Sequence, residues 1–430
     1  MVDNNSVLIY SPDISNRLRY TFDLLFYDLA NISVKYTSDK EYFINFPSAK
    51  INYSFEKLAH ELIFIKSHSL LFEKDIDKKN IAEIFTNSND DGGDIPAKVF
   101  LCVSRYEEYN LKASELDSHS RFKSSASFAV RYGFLHKPMV QIWLNQLLAK
   151  LQLHYPNLIF KLPTYRYQPT FDIDVAWQFK NRSRLRSSVG FAKDILKGHF
   201  NSLKERFKSF DKNYMDAYDT FNTLKQIHKE GTKPIYFWLV GDYGRFDRNI
   251  YWKEPALKKL IYEIGKENSV GIHPSYKTNN NLKQLQKEIY RFEMLSNNRA
   301  KLSRQHFLKL SFPDTYRKLI FNEITDDFTM GYADALGFRA SMAVPFYWFD
   351  VERDEVTRLK IHPFQVMDVT LKNYLKLSPD VAITEVKKII EEVKMINGEF
   401  CTLWHNTSLS ETPEWRGWTK VYPEIVENAQ

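Results

Sequence analysis

The stretch PTFDIDVAWQFK, residues 169–180, decides how the larger part of this chain reads. An apolar approach through Phe171 has the look of a strand, and it delivers two carboxylates, Asp172 and Asp174, one residue apart. Side chains alternate along a strand, so residues i and i+2 face the same way and both acids can converge on one point. Two acids forced together repel. A divalent cation held by one of them relieves that repulsion and lowers the pKa of a bound water. A solvated turn or a helix cap is the plainer reading of an isolated D-x-D, so the flanking sequence has to decide.

Downstream, short apolar segments alternate with longer helical ones: TFDID, helical spacing around 190–230, PIYFWLV, EPALKKLIYEIGKE, VGIHPSY, a helix near 282–296, HFLKLSF and FCTLWHN. This alternation predicts an α/β fold with a parallel sheet or a β/α barrel. In a barrel of that kind the reactive groups sit where strands end. His273 follows Gly271 and Ile272 and is followed by Pro274, which stops the strand and exposes the imidazole. Arg304 and His306 lie two apart at the mouth of another apolar stretch, and His405 closes the last one. A neutral imidazole is a common ligand for zinc and similar ions. Each histidine alone is more often structural. Acids and histidines that repeatedly end predicted strands form the pattern a metal hydrolase needs.

Upstream, SVLIYS and YFINFPS read as strands and NRLRYTFDLLFYDLA as a helix, which makes the first part mixed α/β. TNSNDDGGDIP has turn chemistry, and AKVFLCVSRYEEYNL and KPMVQIWLNQLLAKL read as helices. The segment HYPNLIFKLPTYRYQP, with three prolines and no long period, puts a boundary near 160–168. The expected division is an N-terminal accessory domain over 1–165 and a catalytic domain over 166–430, and a length of 430 residues supports two cores.

At 43% hydrophobic and 26% charged residues the chain is globular. It has no apolar run of the roughly 18–20 residues that span a bilayer, and MVDNNSVLIYSPDISNRLRY lacks the layout of a signal peptide, so a cytoplasmic location is expected. Cys102 and Cys401 lie far apart in apolar stretches and read as buried thiols. Residues 1–150 carry 18 Lys+Arg against 19 Asp+Glu, leaving 42 against 34 for the rest. The densest basic stretch, residues 179–210, suits a phosphate-bearing substrate, an anionic membrane surface or a merely solvated helical face. No nucleic-acid module accompanies the charge, so no nucleic acid partner is expected. A serine nucleophile elbow, a phosphate-cradling glycine loop and a dinucleotide fingerprint are all missing.

The order of these motifs resembles that of the polysaccharide deacetylases, the NodB-homology or family 4 carbohydrate esterases. TFDID is similar to the family's T-F-D-D with one residue inserted, which implies Asp172 as catalytic base and Asp174 as metal ligand. HPSYK keeps the first histidine of H-S/T-x-x-H as His273 and has Lys277 where the second stands. His306 is the replacement ligand that the chemistry suggests, and Arg304, like the family's third-motif arginine, would orient the base. LWHN resembles the last motif and implies His405 as catalytic acid, with Asp350 or Asp368 to orient it. Tyr276, Trp177 and Trp404 stand beside these residues and offer faces to a pyranose ring or to packing. Arg339 in GFRAS lines the sugar pocket or belongs to a structural network.

With SRYEEY, GFLHKP and VPFYWFD included, the likeness covers nearly the whole chain and points to a long bacterial subgroup with an extra N-terminal domain, often met in surface-glycan biosynthesis. It implies a distorted (β/α) barrel of the NodB-homology type after a smaller α/β domain. It also implies a divalent ion, zinc first with cobalt or nickel as alternatives, and an acetylated glycan as substrate, while the expected cytoplasmic location suits a lipid- or nucleotide-linked sugar. Two rivals use the same fold: a catalytically silent glycan-binding or scaffold protein, and a glycoside hydrolase pairing Asp172 with another carboxylate.

Overall fold

The computed structural model describes residues 5–58, 63–78, 81–86, 93–211, 213–228 and 231–430. The chain forms two compact units, one of Met1–Arg166, Gly337–Pro363 and Glu391–Glu399, the other of Tyr167–Leu336, Phe364–Ile390 and Phe400–Gln430.

In the first unit β1 (Ser6–Tyr10), β2 (Ser33–Thr37), β3 (Lys50–Ser54) and β4 (Ile63–Lys66) form a parallel sheet in the order β2-β1-β3-β4. Every residue of β1 and β3 is buried, which is why SVLIY reads as a continuous apolar run rather than an alternating one. YFINFPS is not a strand. Its core is the helix Lys40–Asn45, started by the Asp39 carboxylate, which accepts from the Glu41 and Tyr42 N–H groups. The helix expected over AKVFLCVSRYEEYNL stops at Val103, because Arg105 takes a left-handed φ of 53° and turns its guanidinium onto Glu107 and Glu108. Part of TNSNDDGGDIP, residues 87–92, lies outside the described residues.

The second unit is built on β5 (Arg166–Ile173), β6 (Ile235–Trp238), β7 (Ser269–Ile272), β8 (Leu302–Ser303) and β9 (Asp326–Asp327), each parallel to the next. An antiparallel hairpin, β10 (Phe346–Asp350) and β11 (Glu355–Ile361), falls within the first unit. β12 (Val366–Met367) is parallel to β13 (Glu399–His405), and the strands of the second unit run β9-β8-β7-β6-β5-β13-β12. The fold is mixed α/β with parallel sheets, and among the described residues no pairing closes the row into a barrel.

HFLKLSF, expected as a strand, is a short 3-10 turn, His306–Leu308, in which Phe307 and Leu308 take φ of 59° and 54°. Such values are costly for bulky residues and mark local strain beside a functional candidate. The helix expected near 282–296 is Leu282–Ser296, opened by the Asn281 side chain. Beneath the strand ends Ile235, Phe237, Phe328, Phe364 and Leu403 pack into one core with Cys401. Both cysteines are buried free thiols. No described helix is long and apolar enough to cross a membrane.

Candidate metal centre and active site

Six of the residues singled out in the sequence meet at the C-terminal ends of the parallel strands. Asp172 lies in β5 and Asp174 directly after it, His273 follows β7, Arg304 and His306 follow β8, and His405 ends β13. Gly271 allows this convergence: a Cβ there would stand 2.6 Å from the Phe237 ring and 2.8 Å from the Leu302 carbonyl oxygen. The ladder continues past β7, since the His273 N–H donates to the Trp238 carbonyl and the Arg304 N–H to that of Ile272.

Asp174 is the centre. Its Oδ1 is 3.2 Å from His273 Nε2, and its Oδ2 is 3.5 Å from His306 Nε2 and 3.9 Å from His405 Nε2. The outer nitrogen of each ring is already engaged. His273 Nδ1 meets the Arg304 carbonyl at 2.6 Å, His306 Nδ1 meets Asp247 at 2.9 Å and His405 Nδ1 meets Asp368 at 2.9 Å. A carbonyl or carboxylate partner requires the proton on Nδ1, which turns the Nε2 lone pair inward. In that tautomer a lone pair of His273 faces a lone pair of Asp174, and Asp174 Oδ1 is indeed buried without a hydrogen-bond partner.

Only a cation or an added proton relieves this opposition. Atoms bound at about 2.0–2.2 Å to a zinc-like ion stand roughly 3–3.5 Å apart around it, which is the spacing seen here. One donor atom from each of Asp174, His273 and His306 falls within 4.8 Å of the others. A donor set of two imidazoles and one carboxylate, each histidine backed by an oxygen acceptor, therefore fits a divalent ion. Lys277 is exposed and supplies none of it.

Asp172 stands beside this set. Its Oδ1 accepts from Arg304 Nη1 at 2.9 Å, while Oδ2 is 3.6 Å from His273 Nε2. Arg304 is fully buried, lies 4.7 Å above the Phe237 ring centre and donates through Nε to the Phe328 carbonyl. Its planar head is thus held on three sides, and it holds Asp172 in turn.

Burial opposes charge on Asp174, but His306, His273 and His405 around it hold its carboxyl well below the usual range. Burial likewise disfavours the imidazolium of His306, yet Asp174 and Asp247 lift that ring to about 9. For His405, burial is overcome by Asp368, Asp174 and Asp172, which lift it to about 10. Without a metal, the cluster neutralises its carboxylates with protons on imidazole.

Asp368 is the acid that orients His405, taking the backbone N–H on Oδ2 at 2.8 Å and the ring on Oδ1. Asp350 belongs to the first unit. Asp247 was not singled out in the sequence, although it holds both His306 Nδ1 and the Tyr276 N–H on one oxygen. The only signal was an acid in the loop after the apolar strand PIYFWLV. Two further acids anchor the rim: Glu288 accepts from the Ser275 N–H and hydroxyl, and Asp216 from the N–H groups of Gln178, Phe179 and Lys180.

Of the expected sugar contacts, Tyr276 is half-buried and lies 4.3 Å from Phe246, with Phe307 edge-on at 5.3 Å, making an aromatic wall next to His306. The other three have no surface to offer. Trp404 is 2% exposed and packs on Tyr422, since strand neighbours alternate and His405 takes the site-facing position. Trp177 is 6% exposed and donates to Asp219. Arg339 is buried in the first unit, where Glu108 takes its guanidinium and is shared with Arg105.

A model described as a family of unknown function (DUF7033) matches residues 7–156, all within the first unit. No curated protein matches the chain. Among solved structures, a candidate polysaccharide deacetylase from Mycobacterium smegmatis aligns with TM-score 0.38 and 11% identity over 61% of this chain and 83% of its own. A polysaccharide deacetylase from Bacillus cereus aligns with TM-score 0.29 and 13% identity over 61% and 86%. The allantoinase Puue aligns with TM-score 0.39 and 9% identity over 62% and 84%. These scores are low, and the functional reading stands on the residues of the site.

Proposed function

We propose that the chain is a divalent-metal-dependent deacetylase acting on an acetylated sugar. The observation that carries this reading is the unpartnered buried oxygen of Asp174 facing inward-turned Nε2 atoms, with a second, arginine-held carboxylate alongside. Asp174, His273 and His306 would hold the ion, with zinc the leading choice and cobalt or nickel as substitutes. Bound there, a divalent ion supplies Lewis-acid polarisation of the acetyl carbonyl and a more acidic water.

The rest is the work of side chains. Arg304 holds Asp172 Oδ1, which leaves Oδ2, 3.6 Å from His273 Nε2, to take the proton of an attacking water. His405, charged and oriented by Asp368, is placed to protonate the departing amine or alcohol. Tyr276, Phe246 and Phe307 form a wall suited to stacking on a pyranose. The basic stretch 179–210 favours a substrate whose sugar is carried on a lipid or nucleotide phosphate.

A glycosidase pairing fits less well, because the neighbouring carboxylate, Asp174, is surrounded by imidazoles and held ionised, so it is no general acid. The test is acetate release from N- and O-acetylated sugar probes by the metal-loaded chain. Asp172→Asn is expected to slow release by more than about a hundredfold, the scale of general-base catalysis. Equal release by this variant, or reducing ends in place of acetate, would refute the assignment.

A further inference from the structure

Amphipathic helices in a folded unit normally turn their apolar stripe inward. The pair Arg184–Leu196 and Phe200–Lys208 does the reverse. Val189, Ile195 and Leu196 on the first helix, Phe200 and Phe207 on the second and Phe210 just beyond are all exposed, Leu196 at 87% and Phe200 at 76%. Seven of the 26 exposed large apolar side chains among the described residues lie between Val189 and Met215. That is a patch, unlike the scattered singles elsewhere.

The hairpin is a built element. Phe191 packs on Phe207 at 4.9 Å, and buried Asp194 takes Arg206 Nε at 2.6 Å. Residues 179–210 hold nine Lys and Arg against two acids, and both acids are engaged within the hairpin, Asp194 by Arg206 and Glu205 by Lys208. Lys193, Lys197 and Lys204 remain exposed among the apolar groups.

We infer that this hairpin docks the chain onto an anionic lipid surface, sinking Ile195, Leu196 and Phe200 among acyl chains while the lysines meet headgroup charges. Protein interface cores are depleted of lysine, whereas interleaved lysine and large apolar side chains suit the bilayer interface. Arg186 donates to the Asn249 carbonyl at 3.0 Å, and Asn249 donates to that of Gly241, so the hairpin is tied to the loop that carries Asp247. Docking would therefore bring the rim of the candidate site to the membrane surface. It does not depend on the metal or on catalysis.

The test is flotation of the full chain with phosphatidylcholine vesicles, with and without phosphatidylglycerol, alongside light scattering of the lipid-free protein. The chain is expected to float only with phosphatidylglycerol and to be released by salt. Leu196→Asp with Phe200→Asp should abolish flotation, and Lys193→Glu with Lys197→Glu should weaken it by more than about tenfold. Asp174→Ala should float like wild type, which separates this claim from the proposed activity. No preference for phosphatidylglycerol would overturn the inference, as would undiminished flotation of the Leu196/Phe200 variant. So would a lipid-free oligomer that this variant dissociates, because the patch would then be a contact between copies.

Discussion

At the scale of single residues Asp174 gathers His273, His306 and His405 around one carboxylate, and the groups behind these imidazoles can be tested one by one. Asp247 touches His306 only through the far ring nitrogen, so Asp247→Asn should weaken metal binding by about 10–100-fold and leave folding intact, read by competition with a chelator. His306, lifted to about 9, is charged at neutral pH without a metal and must lose a proton to bind one. Binding should therefore release protons, and affinity should rise as pH climbs towards 9. Calorimetric heats that do not vary with the ionisation enthalpy of the buffer would contradict this. Asp172, Asp174, His273 and His405 were legible in the sequence because each ends an apolar segment. Asp247 was not, since its partner lies 59 residues away and a lone acid in a loop carries no pattern. Of the two readings open for Trp404, a face for a pyranose or packing, the structure has packing, because alternation along β13 lets only one of Trp404 and His405 face the site.

At the scale of elements, close approach and capping set what the sequence pattern could not. Gly271 leaves room for Phe237 and the Leu302 carbonyl, so Gly271→Ala should cost about 1–3 kcal/mol and shift His273, measurable as a lower denaturation midpoint together with weaker metal binding. Asp94 caps the helix Ile95–Val103, and burial raises its carboxyl from 3.8 to about 6 despite hydrogen bonds from Ala97, His68 and Tyr53. Between those values the folded chain keeps a proton that the unfolded chain has lost. Stability from this group is therefore greatest below about pH 4 and falls by about 3 kcal/mol as pH rises through 6. Asp94→Asn should flatten that part of the pH profile of urea midpoints. The long helices and the apolar strands β1, β5, β6 and β13 were readable from periodicity and length. YFINFPS misled because aromatic and β-branched residues favour strands locally, whereas the Asp39 cap and burial of Phe43 favour a helix. HFLKLSF misled because two left-handed residues cannot be read from side-chain pattern.

For the whole molecule, the α/β alternation after residue 166 announced a parallel sheet with its reactive groups at the strand ends. It carried no hint that Gly337–Pro363 and Glu391–Glu399 would join the unit formed by the first part of the chain. Periodicity reports which face of an element is buried, not against which partner. The buried pair Arg304–Asp172 links the core of the second unit to its chemistry, so Arg304→Ala should destabilise the protein by about 3–5 kcal/mol as well as impair turnover, read from denaturation and acetate release together. Metal binding by Asp174, His273 and His306 is tested most directly by elemental analysis of purified wild type beside Asp174→Ala, His273→Ala and His306→Ala. About one divalent ion per chain is expected in wild type, lost in all three variants. A wild-type chain that carries no ion and takes up none from added zinc, cobalt or nickel would contradict it.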